Sequence, residues 1–285
     1  MPLRMRHRRM RRREHSLIRM LPNALTTLAL TSGMSAIRFA ILHRWEAAVI
    51  AIAVAATFDV LDGRTARLLN AQSKFGAELD SLSDVVCFGV APAILLYLWG
   101  LHDGGSFGWL AVLAFGICAA LRLARFNTAL AEGSSRAYAR GFFTGVPTPA
   151  AAGLALLPMI VDFEAEWDIA HYPLIVGLWT IAAALLMVST LPTFSWRIVR
   201  VRQRLPVLAL IGIVAGAVAS APWSTLVCLA IAYLASLPIA VWRYKRLVAV
   251  HGPLLESDEI VLDGHDADDI AEIHDFPTKA QRPQS

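Results

Sequence analysis

The sequence has little charge and little cysteine. Only 17% of its 285 residues are Asp, Glu, Lys or Arg, whereas 56% are hydrophobic. A soluble domain carries about 25% charged residues, so this composition argues against an ordinary soluble globular protein. The three cysteines, Cys87, Cys118 and Cys228, lie far apart within apolar segments. Their positions argue against a disulfide framework and against a cysteine-rich zinc site.

The apolar residues are concentrated in long blocks. A membrane-spanning helix needs about 20 mostly apolar residues. Eight segments meet or approach this length: 23–42, 46–63, 84–101, 107–123, 146–161, 173–191, 206–222 and 224–241. Helices of a soluble protein would alternate apolar and polar faces, which these segments do not. The sequence therefore predicts an all-α integral membrane protein, a polytopic helical bundle of about eight transmembrane helices.

The basic residues predict how this bundle is oriented. Cytoplasmic loops of membrane proteins carry an excess of Arg and Lys. Here basic residues occupy alternate loops and the N-terminal run from Arg4 to Arg13, with Arg44 as an exception. We therefore expect a multi-pass plasma-membrane protein with both termini in the cytoplasm. The N-terminal run is expected to contact anionic lipids, at about 1 kcal/mol per basic residue. Nucleic-acid binding is not expected, because no folded basic module accompanies the charge.

Four aspartates lie between the second and third predicted spans. The chain reads D-V-L-D-G-R-T-A-R from Asp59 and G-A-E-L-D-S-L-S-D from Gly76. Asp59 and Asp62 are three residues apart, and Asp80 and Asp84 are four apart, so each pair shares one face of a helix. Carboxylates this close to lipid are costly and are typical of functional sites. Four such anions can coexist if divalent cations lie between them.

The neighbouring residues indicate which chemistry these carboxylates support. Oxygen ligands without His or Cys suit magnesium, manganese or calcium. Gly63 and Ala66 leave room for a ligand near the backbone, although small residues also let helices pack closely. Arg67 offers a planar cation to a phosphate. The combination indicates phosphoryl transfer assisted by metal ions, with one carboxylate taking a proton from an attacking hydroxyl. Helix capping or pairing with Arg64 and Lys74 would explain one aspartate better than four.

The complete motif resembles the signature of a known enzyme family. The pattern is Asp59-x-x-Asp62-Gly63-x-x-Ala66-Arg67, eight further residues, then Gly76-x-x-x-Asp80-x-x-x-Asp84. It is similar to the signature of the CDP-alcohol phosphotransferases, membrane enzymes that move a phosphatidyl-type group from a CDP-linked lipid to an alcohol and release CMP. The resemblance implies that Asp59, Asp62 and Asp80 bind the metal ions. It also implies that Asp84 contributes to the metal site and acts as general base.

The same resemblance implies a nucleotide site. The segment P-N-x-x-T, which starts at Pro22, resembles the family's entry to its first helix. Six residues are expected around the CDP moiety: Asn23, Thr26, Gly63, Ala66, Arg67 and Gly76. Two magnesium or manganese ions and no organic cofactor are expected.

Three further segments resemble the phosphatidylserine synthase branch of this family. They are S-K-F-G-A-E-L-D-S-L-S-D-V-V-C-F-G-V-A-P-A, L-R-L-A-R-F-N at 121–127 and G-F-F-T-G-V-P-T-P-A-A-A-G at 141–153. The resemblance implies that CDP-diacylglycerol and L-serine give phosphatidylserine and CMP, and that the protein is a homodimer. It also implies a core of six helices to which this chain adds two.

Four regions follow along the chain. Residues 1–20 form a basic cytoplasmic segment, 21–195 the membrane core, and 196–246 an additional transmembrane hairpin. Residues 247–285 form an acidic cytoplasmic tail. We expect this tail to be disordered, because it contains many acidic residues and few apolar ones.

A binding site for an amino-acid acceptor needs a cation that a binding site for a polyol does not need. Serine carries a carboxylate, and four polar residues lie on the cytoplasmic side of the fourth span: Arg122, Arg125, Asn127 and Arg140. We hypothesise that one of these arginines binds the serine carboxylate. Arg125 and Arg140 are favoured, because each lies beyond the hydrophobic span. The positive-inside rule or a lipid phosphate explains these arginines equally well.

Three other functions stay open from the sequence. The same chemistry could use glycerol-3-phosphate, inositol or an inositol phosphate as acceptor. A secondary transporter could use the carboxylates for ions, although such sites usually lie near the bilayer midplane between related halves. A scaffold without activity is a third alternative, and the complete motif argues against it.

Overall fold

A computed structural model describes residues 3–69, 71–131, 142–165, 167–169, 172–194 and 204–251 of this chain. The helices are α1 Leu3–Ile41, α2 Trp45–Leu68, α3 Lys74–Asp84, α4 Ala91–Trp99, α5 Gly105–Ala131, α6 Thr148–Ala155, α7 Leu157–Ala165, α8 Pro173–Val188, α9 Arg204–Ser220 and α10 Pro222–His251. A π-helical segment, Val85–Val90, joins α3 to α4, and a 3₁₀ turn, Leu101–Gly104, precedes α5. Two short strands, β1 Phe142–Thr144 and β2 Pro192–Phe194, pair antiparallel.

The described part of the chain is mostly helical, as the sequence predicts. Each of the eight predicted segments coincides with a helix or with consecutive helices. The number of candidate spans is smaller than expected. Four helical segments in the described ranges are long and apolar enough to cross a membrane: Met20–Ile41, Lys74–Trp99, Leu101–Ala129 and Pro222–Arg246. The pair α6 and α7, bent by 42°, gives a fifth if it is one broken span.

The remaining predicted spans fall short for two physical reasons. Helix α2 is 24 residues long, but the aspartates and arginines of its second half make it too polar. Helix α8 has 16 residues and α9 has 17, which is less than the roughly 20 needed to cross the hydrocarbon core. Eight complete spans are therefore not confirmed.

Small residues bring the first helices close together. Ala36 and Ala40 of α1 and Ala48 and Ala55 of α2 are all buried, and side chains of this size let helices approach at short distance. A Cβ atom placed on Gly33 would lie 2.5 Å from the Cys87 sulfur. This contact fixes α1 against the π-helical segment, and it requires a glycine.

Prolines explain the two irregular helices near the site. Pro92 is the second residue of α4, two residues after the π-helical segment ends at Val90. A proline ring crowds the carbonyl of the preceding turn and supplies no N–H, so a wider turn before it relieves the clash. Pro158 lies just beyond the bend between α6 and α7, where the same crowding interrupts the helix.

The chain divides into two units, Met1–Trp242 and Arg243–Ser285. The first contains one buried core, built mainly from α1, α2, α4, α5, α6, α7 and α8. Of the second, residues 243–251 are described and are helical. Most of the acidic tail predicted at 247–285 lies outside the described residues, so its predicted disorder stays a prediction.

Candidate functional site

Three of the four aspartates converge between α2 and α3. One carboxylate oxygen from each of Asp59, Asp62 and Asp80 lies within 4.8 Å of the others. Two like charges at this separation repel by about 3 kcal/mol at an effective dielectric constant of about 20. Asp62 is only 4% exposed, so water screens its charge poorly. Three hard oxygen donors at this spacing fit a divalent cation, which would convert their repulsion into attraction.

The hydroxyl of Thr26 orients one of these carboxylates. Thr26 Oγ1 donates a hydrogen bond to Asp62 Oδ2 at 2.7 Å and lies 3.1 Å from the Pro22 carbonyl oxygen. Thr26 is 3% exposed. Because Oδ2 is held in this way, Asp62 can turn its other oxygen toward a metal ion. The P-N-x-x-T segment and the aspartate motif thus belong to one site.

Asp84 lies next to the group of three, and its carboxyl group is within hydrogen-bonding distance of the Asp59 carboxyl group. It lies beside Asp59 and Asp80 and within electrostatic range of the Arg122 guanidinium, but it is not part of the group whose oxygens approach within 4.8 Å. It is the last residue of α3, directly before the π-helical segment. The quartet predicted from the sequence is therefore arranged as a close group of three with a fourth carboxylate next to it.

A cavity of about 440 Å³ opens beside the aspartates. Its wall includes all six residues expected around CDP, together with two of the aspartates: Asn23, Thr26, Asp62, Gly63, Ala66, Arg67, Gly76 and Asp80. The volume falls within the range of about 300–1,000 Å³ that is typical of small-molecule sites. The structure therefore gathers α1, α2 and α3 around one space next to the carboxylates. The contact of these residues with a nucleotide stays a prediction.

The start of α3 forms one side of the cavity. Ser73 Oγ accepts a hydrogen bond from the Gly76 backbone N–H at 3.0 Å, which caps the helix at its first turn. A Cβ atom on Gly76 would lie 2.8 Å from Asn23 Oδ1 and 3.1 Å from Ser73 Oγ. Glycine at position 76 therefore lets α3 approach α1 without displacing the Asn23 side chain.

The glycine and arginine of α2 have different surroundings. A Cβ atom on Gly63 would meet no protein atom within 4 Å, so the absence of a side chain there leaves open space in the cavity. Arg67 is exposed, and its Nε donates to the Gly63 carbonyl oxygen at 2.9 Å. An arginine carries five N–H donors, and this bond uses one of them. The others can face an anion in the cavity.

The four residues proposed for the acceptor carboxylate are placed differently from one another. Arg125 Nη1 and Nη2 donate to the carbonyl oxygens of Val188 and Ser189 at 3.2 and 3.5 Å, which ties its guanidinium to the end of α8. Asn127 Nδ2 donates to Ser81 Oγ at 2.9 Å and links α5 to α3. Arg140 lies outside the described residues.

Arg122 is the acceptor candidate that the structure brings to the aspartates. Its Nη1 donates to Thr148 Oγ1 at 2.7 Å, and its guanidinium lies within electrostatic range of Asp84. Thr148 is fully buried, so it holds the arginine firmly. The structure thus places Arg122 near Asp84, whereas the guanidinium of Arg125 binds carbonyl oxygens at the end of α8; which arginine binds the acceptor stays a prediction. Thr148 was not singled out, although it lies in the segment G-F-F-T-G-V-P-T-P.

Comparisons with known proteins find related sequences. A family model described as CDP-alcohol phosphatidyltransferase matches residues 19–188, and one described as CDP-alcohol phosphatidyltransferase 2 matches residues 202–238. The chain is 40% identical over 238 residues to the CDP-diacylglycerol--serine O-phosphatidyltransferase of Mycobacterium tuberculosis (strain ATCC 25618 / H37Rv), with 82% of each chain covered. It is 34% identical over 190 residues to the Helicobacter pylori (strain ATCC 700392 / 26695) protein of the same name, covering 67% of this chain and 78% of the relative.

Proposed function

The chain belongs to the CDP-alcohol phosphatidyltransferase family, and on that premise we propose that it transfers the phosphatidyl group of CDP-diacylglycerol to the hydroxyl of L-serine. The products are phosphatidylserine and CMP. The observation that carries this proposal is the cavity of about 440 Å³, in which the six expected nucleotide-site residues surround Asp62 and Asp80. Relatives of similar length that carry the name of this activity support L-serine as the acceptor.

Divalent metal ions complete the proposed site. Asp59, Asp62 and Asp80 would hold them, and the converging oxygen donors fit magnesium or manganese. When bound, two such ions neutralise a diphosphate and stabilise the attacking and leaving oxygens. Thr26 keeps Asp62 in position through its 2.7 Å hydrogen bond. Arg67, on the cavity wall, binds the diphosphate of the nucleotide.

Asp84 is the proposed general base. It takes the proton from the serine hydroxyl, whose oxygen then attacks the phosphorus that carries diacylglycerol. The new P–O bond forms as the bond from this phosphorus to the CMP oxygen breaks, and CMP leaves. The position of Asp84 beside Asp59 and Asp80, within electrostatic range of the Arg122 guanidinium, supports a carboxylate that takes the substrate's proton.

The membrane setting follows from where the cavity lies. Asn23 and Thr26 belong to the candidate span Met20–Ile41, and Gly76 and Asp80 belong to the candidate span Lys74–Trp99. A lipid can therefore keep its acyl chains in the bilayer while its headgroup enters the cavity. We propose eight spans in the plasma membrane, a homodimer, and a cytoplasmic site and termini. The alternation of basic loops supports the orientation.

An acceptor panel tests the proposed reaction. Purified protein with CDP-diacylglycerol and Mg²⁺ or Mn²⁺ should release CMP with L-serine and form phosphatidylserine, measured by chromatography and mass spectrometry. Glycerol-3-phosphate and inositol, supplied singly at equal concentration, should give no more CMP than the Asp80→Asn variant. CMP release with either of these in place of L-serine would overturn the choice of acceptor. Ion-coupled uptake into proteoliposomes that persists under chelation would favour a transporter.

The two cavity glycines should respond differently to alanine. Gly63→Ala fills open space in the cavity, so we expect the KM for CDP-diacylglycerol to rise roughly tenfold, as overpacking by one methyl group costs about 1–3 kcal/mol. The midpoint of thermal unfolding should not fall, because alanine favours a helix over glycine by about 1 kcal/mol. Gly76→Ala should lower both activity and thermal stability, because its Cβ would overlap Asn23. Steady-state kinetics and thermal unfolding in detergent measure both effects.

Gly116→Ala is the matched control for this pair. Gly116 lies in α5, and a Cβ atom there meets nothing within 4 Å. It should leave the KM for CDP-diacylglycerol unchanged. If Gly63→Ala behaves like this control, Gly63 does not border the bound nucleotide.

A further inference from the structure

Two buried polar atoms in the described part of the chain have no hydrogen-bond partner, Arg122 Nε and Tyr233 OH. A buried donor without a partner lowers stability, so native proteins keep few of them. One lies on α5 and the other on α10. The two side chains are nevertheless close enough to interact electrostatically. Two unused hydrogen-bond donors on neighbouring side chains can bind a single acceptor.

The position of this pair relative to Asp84 limits what the acceptor can be. The Arg122 guanidinium is within electrostatic range of Asp84, and its Nη1 is held by Thr148 at 2.7 Å. The guanidinium is therefore fixed on one side and still has an N–H to offer on the other. An anionic group placed there would lie beside the carboxylate that is proposed to take the substrate's proton.

We propose that Arg122 and Tyr233 bind the carboxylate of the acceptor amino acid. This inference rests on the proposed function, because it assumes that the acceptor hydroxyl is at Asp84. In L-serine only Cβ and Cα separate the hydroxyl oxygen from the carboxyl carbon, so the carboxylate must lie near the general base. A carboxylate accepts hydrogen bonds from both unpaired donors, and a bond between ionised groups is the stronger kind.

The same pair explains how the enzyme distinguishes serine from polyols. A polyol hydroxyl can also accept from Arg122 Nε–H and Tyr233 O–H, but its oxygen is neutral, and such a bond is weaker than the charge-assisted bond that a carboxylate accepts. The preference for serine over inositol thus arises from the negative charge of the acceptor's carboxylate.

The proposed role of Tyr233 also gives a function to α10, the last helix described. Tyr233 packs on the buried core of the first unit but lies beyond the residues matched by the first family model, 19–188. It falls within the second match, 202–238. The nucleotide and metal residues therefore come from the first three helices, whereas the acceptor site takes Arg122 from α5 and Tyr233 from α10.

Tyr233→Phe is the most specific test. It removes one oxygen atom and keeps the ring, so the KM for L-serine should rise about tenfold, the loss expected for a hydrogen bond to a charged group. The KM for CDP-diacylglycerol should stay constant, and kcat at saturating L-serine should change by less than about twofold. Because the hydroxyl is unpaired in the free protein, the thermal unfolding midpoint should not fall. Tyr97→Phe is the matched control. Tyr97 lies in the same span as Asp84 but 13 residues further along it, where it contacts Trp109 and His102.

A second measurement separates carboxylate binding from a general effect on the site. The affinity of L-serinamide, measured as acceptor or as competitor of L-serine, should be the same for the wild type and for Tyr233→Phe, because this analogue lacks the carboxylate. An unchanged KM for L-serine in Tyr233→Phe would overturn the inference, as would an equal loss of affinity for L-serine and L-serinamide. Failure of the proposed function looks different, because the wild type itself would then release no CMP with L-serine.

Discussion

Replacing Asp59, Asp62 or Asp80 with asparagine should reduce the rate of CMP release by more than about 100-fold. Asparagine keeps the size of the side chain but removes the negative charge, so a divalent ion loses a direct ligand. Changing a partner that only supports a ligand already costs about 10–100-fold, and these three contribute oxygens that converge within 4.8 Å. The rate should be measured with CDP-diacylglycerol and L-serine at saturating Mg²⁺ or Mn²⁺.

Protein stability provides the internal control for these variants. Removing one of several close anions relieves repulsion, so each variant should unfold at the same temperature as the wild type or higher in the absence of metal. Adding Mn²⁺ should raise the unfolding temperature of the wild type, because a ligand that binds the folded state stabilises it, and should raise that of the variants less. Asp103→Asn is the matched control variant, because it makes the same substitution at an aspartate that pairs with His102 outside the site. Wild-type turnover in any of the three would refute the metal assignment.

The second large effect is expected at Asp84. Asp84→Asn should lower kcat by about 10²- to 10⁴-fold, the contribution typical of a general base, while the KM for CDP-diacylglycerol changes little. Raising the Mn²⁺ concentration should not restore the rate, because the carboxylate lies next to the group of three and not in it.

A metal-ligand role for Asp84 would give a different result. Partial recovery at high Mn²⁺, together with a raised KM for CDP-diacylglycerol, would show that Asp84 binds an ion. In that case another residue would have to accept the proton from L-serine.

The sequence predicted which side chains converge at the site, because these residues lie close together along the chain. The spacing of Asp59 and Asp62 on one helix, and the return of the chain to Asp80, were sufficient to predict that these carboxylates meet. The structure brings the three within 4.8 Å. The six residues expected around CDP also line one cavity, and all six belong to the two aspartate segments or to the P-N-x-x-T entry.

Contacts between distant parts of the chain were less predictable. Arg122 and Arg125 look alike in sequence, and only packing decides that Arg125 binds the carbonyl oxygens at the end of α8 while Arg122 meets Thr148. Tyr233 carries no motif, and its position depends on how α10 packs. The π-helical segment before Pro92 also lacks a clear sequence signal, because a proline can be accommodated by several distortions of a helix.

The predicted count of eight spans is not confirmed, for a related reason. Apolar composition identified where helices lie, but α8 ends at Val188 after 16 residues and α6 and α7 are bent by 42°. Helix ends depend on capping and on tertiary contacts, which a count of apolar residues does not include.

The most direct test of the central claim is the rate of CMP release from CDP-diacylglycerol and L-serine before and after removal of divalent metal. We predict that EDTA abolishes the reaction, that excess Mg²⁺ or Mn²⁺ restores it in the wild type, and that the same addition fails to restore it in Asp62→Asn. An undiminished rate in EDTA would contradict a site in which Asp59, Asp62 and Asp80 act by holding metal ions.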